Sequence, residues 1–165
     1  MCGHGVGGVV FGENFPCTPT VLHIQWKEWV KIEITSSSNR TGTLTNSDLE
    51  MAGILLLWLV MEEVCDMKYA YHVAVLSDNQ PAVLWVDQLA SKISVVAVQL
   101  LRALALRLKM KGASPLTPFL IAGKQNSMTY IPSRLFASDP KWHCKTDDYL
   151  LLLFNNKFPL PNKAS

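Results

Sequence analysis

The chain has 165 residues, 49% of them hydrophobic and 17% charged, with a formal net charge of +2. That length suits one domain with a sizeable buried core, and the composition excludes an intrinsically disordered chain. So small a net charge does not by itself mark a nucleic-acid binder, and the longest apolar run, Met51 to Met61, is far short of the ~20 residues a membrane-spanning helix needs.

Taken in chain order, Gly5 to Phe11 (GVGGVVF) is a short apolar stretch of strand type, followed by the turn-rich Gly12-Glu13-Asn14. Val21 to Trp26 (VLHIQW) alternates apolar and polar as a half-buried strand does, and Val30 to Ile34 reads as a further short strand. Ser36 to Thr45 is polar and contains glycine, hence a loop. A helix starts near Asn46 or Ser47 and runs to about Cys65, with Ser47 and Glu50 spaced as a capping box. His72 to Leu76 predicts a buried parallel strand ending in Ser77-Asp78-Asn79, and Pro81 stands where the next helix, to about Ala90, begins. Val95 to Lys111 is a longer helix, apolar nearly all round at its centre, which predicts burial. Leu116 to Ala122 is a strand broken by Pro118, and Asp147 to Asn155 is a short amphipathic helix. This order predicts an α/β fold in which an antiparallel hairpin leads into parallel strands.

The first residues do not have the basic, apolar and small-residue regions of a signal peptide, so the expected location is intracellular, in cytoplasm or nucleus, with no membrane partner. In a reducing compartment Cys2, Cys17, Cys65 and Cys144 are free thiols. His143 and Cys144 are adjacent, which suits a shared tetrahedral zinc site poorly, and the glycosylation triplet Asn39-Arg40-Thr41 means nothing without secretion.

Gly3, Gly5 and Gly8 have dinucleotide-fingerprint spacing, but no strand precedes them and a β-type run follows where a helix is needed. Asp78 is more informative. It closes a predicted parallel strand just before a helix, where open α/β sheets place their ligands; the simpler reading is that Asp78 or Asn79 caps that helix. Glu50, in the first turns of the long helix, is explained by capping too. If that helix packs on the edge where the strand ends, the two carboxylates converge and offer hard oxygen ligands for Mg²⁺. Charge is also segregated. Gln88 to Ser138 holds seven basic residues and no acid, leaving the rest of the chain at −5. This points to a phosphate-facing surface, with complementation of a helix C-terminus by Arg107, Lys109 and Lys111 as the plainer alternative.

GVGGVVF, TNSDLEMAG (Thr45 to Gly53), LSDNQPAV (Leu76 to Val83) and AGKQNSMTYIPSRLF (Ala122 to Phe136) occur in one order. In that order they resemble the ribonuclease H-like domain that follows reverse transcriptase in retrotransposon polyproteins. The resemblance extends over nearly the whole chain, with the domain at 1–136 and a tail containing a short helix at 137–165. It implies a mixed five-stranded sheet with helices on both sides, and four carboxylates holding two Mg²⁺ ions that cut the RNA strand of an RNA–DNA hybrid. Glu50 corresponds to the helix carboxylate and Asp78 to the one closing the central parallel strand.

Two departures stand out. In the family's D-x-[SC]-x-x-G-x-G-G pattern, Cys2, Gly5, Gly7 and Gly8 match, so the aspartate falls one residue before Met1 and most of the first strand is missing. In the N-x-M-[AT]-D-x-x-S-R pattern, Asn126, Met128, Thr129, Ser133 and Arg134 match, but Tyr130 occupies the aspartate position. The expectation is a truncated, catalytically impaired domain in which Mg²⁺ binding is weak or lost and an exposed sheet edge is open to self-association. Two alternatives stand beside it: a non-catalytic module binding hybrid or duplex nucleic acid through Arg102, Arg107, Lys109 and Lys111, and an active hybrid endonuclease completed by upstream residues.

Overall fold

The computed structural model describes residues 5–11, 20–65 and 72–126. Tyr130, Arg134, the helix expected at 147–155 and the tail at 137–165 lie outside them. The described elements make a mixed α/β fold in the order two strands, two helices, a strand, two helices and a strand: β1 (Gly5–Val10), β2 (Thr20–Gln25), α1 (Glu28–Lys31), α2 (Asn46–Val64), β3 (Ala74–Ser77), α3 (Gln80–Gln88), α4 (Val95–Lys111) and β4 (Thr117–Leu120).

The expected antiparallel hairpin is present: β1 pairs with β2 from Gly5↔Gln25 to Val10↔Thr20. β3 and β4 form a parallel pair, Ala74↔Thr117 to Ser77↔Leu120. Among the described residues these make two separate two-stranded sheets. β1 lies so close to α2 that a Cβ at Gly8 would come within 2.5 Å of Leu57 Cδ1.

Three sequence expectations are corrected. Val30 to Ile34 is no strand: its first residues belong to α1, and Ile34 keeps only an isolated bridge to Leu44. Asn39 Nδ2 donates to the carbonyls of Ile32 and Ile34, so the polar loop holds this stretch turned back on itself. The capping box of α2 is formed by Thr45 and Asp48, not Ser47 and Glu50. Asp48 N–H donates to Thr45 Oγ1 while Thr45 N–H donates to Asp48 Oδ2, which satisfies two otherwise orphaned helix-start groups. The third correction is that β3 and α4 are buried on one face only. Ala74 and Leu76 of β3 are exposed, and α4 buries Ala97, Leu101, Leu104 and Leu108 while its opposite side faces solvent.

The core is the layer where α2, α3 and α4 meet. Met51, Ile54, Trp58 and Met61 of α2 pack with Ala82, Trp85 and Val86 of α3, the buried face of α4, and Leu116 ahead of β4. Each large side chain buried there stabilises the fold by about 1.5–3 kcal/mol. One charged contact runs through this layer. Glu62, 3% exposed, accepts from Trp58 Nε1 and pairs with Arg107 Nη2 at 2.6 Å. No helix among the described residues is long and apolar enough to cross a membrane.

Candidate functional site

The parallel pair sets the geometry. Because β3 and β4 run the same way, the segments leaving both strands emerge at one edge, where α/β sheets characteristically bind ligands. Ser77 ends β3, buried, and Asp78 follows it, exposed. Asn79 is the N-cap of α3, its Oδ1 accepting from Ala82 N–H at 3.0 Å. Of the two residues that could cap this helix, Asn79 does so, and the Asp78 carboxylate is left outside the cap.

That carboxylate is held from the turn after β4. Asn126 Nδ2 donates to Asp78 Oδ1 at 3.1 Å. Gly123 lies against the other oxygen: a Cβ there would be 2.9 Å from Asp78 Oδ2, so any larger residue displaces the carboxylate. The turn itself is closed by Gln125 N–H donating to Ala122 O at 2.7 Å and by Asn126 N–H to Ala122 O and Gly123 O.

Glu50 comes from the other side. The Thr45–Asp48 box fixes where α2 starts, and Glu50 lies one turn further in, 9% exposed. Ser77 Oγ donates to Glu50 Oε2 at 3.5 Å, a long contact, and accepts from Asn79 N–H at 3.1 Å. One hydroxyl therefore links the α2 carboxylate to the strand end that carries Asp78. Ser77, Gly123 and the orienting role of Asn126 are not readable from spacing, because each depends on elements being brought together from distant parts of the chain. The four-fragment pattern containing Asn126 was the only signal.

Two carboxylates are few for a metal pair. Among the described residues no group of three or more His, Cys, Asp and Glu side chains could hold a metal ion.

The basic residues of α4 divide. Arg102, Lys109 and Lys111 are exposed, whereas Arg107 is turned toward α2 and paired with Glu62. Its Nε is buried without a partner. Arg107 is therefore engaged by α2 through its Glu62 pair while its side chain stays 40% exposed. Lys109 and Lys111 lie in the last turn before the Gly112 C-cap, where positive charge complements the helix dipole.

No family model, curated protein or solved structure matches the chain.

Proposed function

We propose that this chain is a ribonuclease H-like domain of retroelement origin with a degenerate catalytic centre. The observation that carries the reading is the treatment of Asp78. It closes a parallel strand, is spared from capping by Asn79, is oriented by Asn126, and stands next to the serine that contacts buried Glu50. A carboxylate kept clear of structural work at the carboxyl edge of a parallel pair is what a remnant metal ligand would look like. The four fragments that resemble the family put Glu50 and Asp78 at two of its four carboxylate positions and Tyr130 at a third.

The residues present do not fit a pair of divalent ions. A phenol with a pKa of about 10 stays neutral near pH 7 and is a poor ligand for Mg²⁺, so Tyr130 does not replace the missing charge. Glu50 and Asp78 would hold a single Mg²⁺ weakly, and Mg²⁺ bound there would supply charge neutralisation at a phosphate. Asn126 keeps one Asp78 oxygen engaged and so fixes the direction of the other. A reading in which the basic helix alone grips nucleic acid has less support, since Arg107 is paired with Glu62.

The test is release of labelled fragments from an RNA–DNA hybrid, with Mg²⁺ and with EDTA. The chain as it stands should give no Mg²⁺-dependent cleavage above background, and Tyr130→Asp alone should add little. Tyr130→Asp combined with an added N-terminal strand ending in aspartate should give Mg²⁺-dependent cleavage that Asp78→Asn removes. Clear cleavage by the unmodified chain overturns the impairment. A folded, repaired chain that stays inactive counts against the family reading.

A further inference from the structure

We propose that the outer face of α4 is a docking surface for an acidic amphipathic α-helix of a partner protein. α4 is apolar on two opposite sides. Its inner side, Ala97, Leu101, Leu104 and Leu108, is buried against α2 and α3. On the outer side Val95 is 78% exposed, Leu106 58% and Met110 68%, and Ile93 just ahead of the helix is 84% exposed. A helix with apolar residues on two opposite sides belongs between two layers, and the described fold supplies one.

The spacing says what kind of layer is missing. Val95, Gln99, Ala103, Leu106 and Met110 follow one another at intervals of four, four, three and four residues, all partly or fully on the solvent side. That interval pattern makes a continuous stripe, the way one helix presents a seam to another. At 1.5 Å per residue the stripe is about 23 Å long, matching a partner helix of about 15–20 residues. Small Ala103 leaves a hollow at its middle for a partner's larger side chain.

Charge selects the partner. Arg102 and Lys109 flank the stripe on one side, Lys92 lies beyond its start, and no acidic residue occurs from Gln88 to Ser138. A second copy of α4 would bring like charges together across the seam. A phosphate backbone would satisfy Arg102 and Lys109 and gain nothing from Val95, Leu106 and Met110. An anionic lipid surface requires no helical spacing. A helix with apolar residues along one line and Glu or Asp beside it satisfies the apolar stripe and the flanking cations together.

The experiment titrates the full chain against a synthetic acidic helix of about 20 residues, carrying leucines at the same intervals and glutamates on both flanks, read by fluorescence anisotropy. Saturable micromolar binding is expected. Leu106→Ser with Met110→Ser should weaken it about tenfold or more; both residues are exposed, so thermal melting should be unchanged. Arg102→Glu with Lys109→Glu should abolish it, and the same helix with lysine flanks should then bind the reversed chain. Absence of binding, or binding indifferent to Leu106→Ser with Met110→Ser, overturns the proposal. So does a stable dimer, a hybrid-duplex complex or attachment to phosphatidylserine vesicles that is lost with Leu106 and Met110.

Discussion

Two regions of this molecule use carboxylates in opposite ways. In the helical layer, Asp48 and Glu62 are saturated by groups the fold needs. Asp48 closes the α2 capping box and accepts from Ser94 Oγ, which itself caps α4 through Ala97 N–H; Glu62 receives Trp58 and Arg107. At the carboxyl edge of β3–β4, Glu50 and Asp78 touch a serine hydroxyl and an asparagine amide respectively, and no helix start depends on Asp78. The first pair joins helices to each other. The second meets the ends of the parallel strands, Glu50 through Ser77 of β3 and Asp78 through Asn126 of the turn after β4. The contrast separates acids that close helix junctions from acids placed where the parallel strands end.

The largest test of that contrast is Glu62→Ala. It strands a buried indole N–H and a guanidinium whose Nε already lacks a partner. Removing one member of a buried pair costs about 3–5 kcal/mol, and the lower end applies because Arg107 is 40% exposed and partly screened. Chemical denaturation should show a loss of about 3 kcal/mol. A loss below about 1 kcal/mol would place Glu62 with the second pair. Asp48→Ala should come next, at about 2 kcal/mol, since it removes one cap and a partner of another. A double-mutant cycle with Ser94→Ala should show that the two losses do not add; strict additivity would break the picture of one shared junction between α2 and α4.

How much of this was legible in the sequence follows the same division. The hairpin, the long α2, the parallel β3 and the helix after Asp78 were readable because apolar periodicity and turn residues are local signals. Val30 to Ile34 failed because its β-branched residues were overridden by the hydrogen bonds of Asn39, a contact made across several residues of loop. Asp48 and Glu50 both lie within reach of a plausible cap, and only backbone geometry decides which of Thr45 and Ser47 starts the helix. The burial of α4 departs from its pattern for a different reason: periodicity reports which residues want cover, not whether the fold supplies it. At the candidate site, Asp78 could be found by its place after a strand. Spacing does not reveal its partners, since Asn126 is far from it in sequence and meets it only when β4 pairs with β3.

The smallest expected change in stability is also the sharpest test of the second pair. Gly123→Ala puts a methyl 2.9 Å from Asp78 Oδ2, inside ordinary contact distance. What it meets is the end of an exposed side chain, so the strain is relieved by swinging the carboxylate away rather than by shifting backbone. That movement breaks the Asn126 bond, whose partners lie at the surface, and the cost to folding should stay within about 0.5–1 kcal/mol, a melting shift of about 3 °C. The orientation of Asp78, by contrast, is lost. If Asp78 and Glu50 face a common cation, adding Mn²⁺ to the unmodified chain should broaden the amide resonances around Ser77 to Asn79. Gly123→Ala should abolish that broadening as fully as Asp78→Asn does, with melting lowered by no more than about 3 °C in either. A Gly123→Ala chain that melts as low as Glu62→Ala would make this turn a structural element like the helical layer. Broadening that survives Gly123→Ala would mean that the orientation of Asp78 serves no cation, and the comparison between the two pairs would lose its functional half.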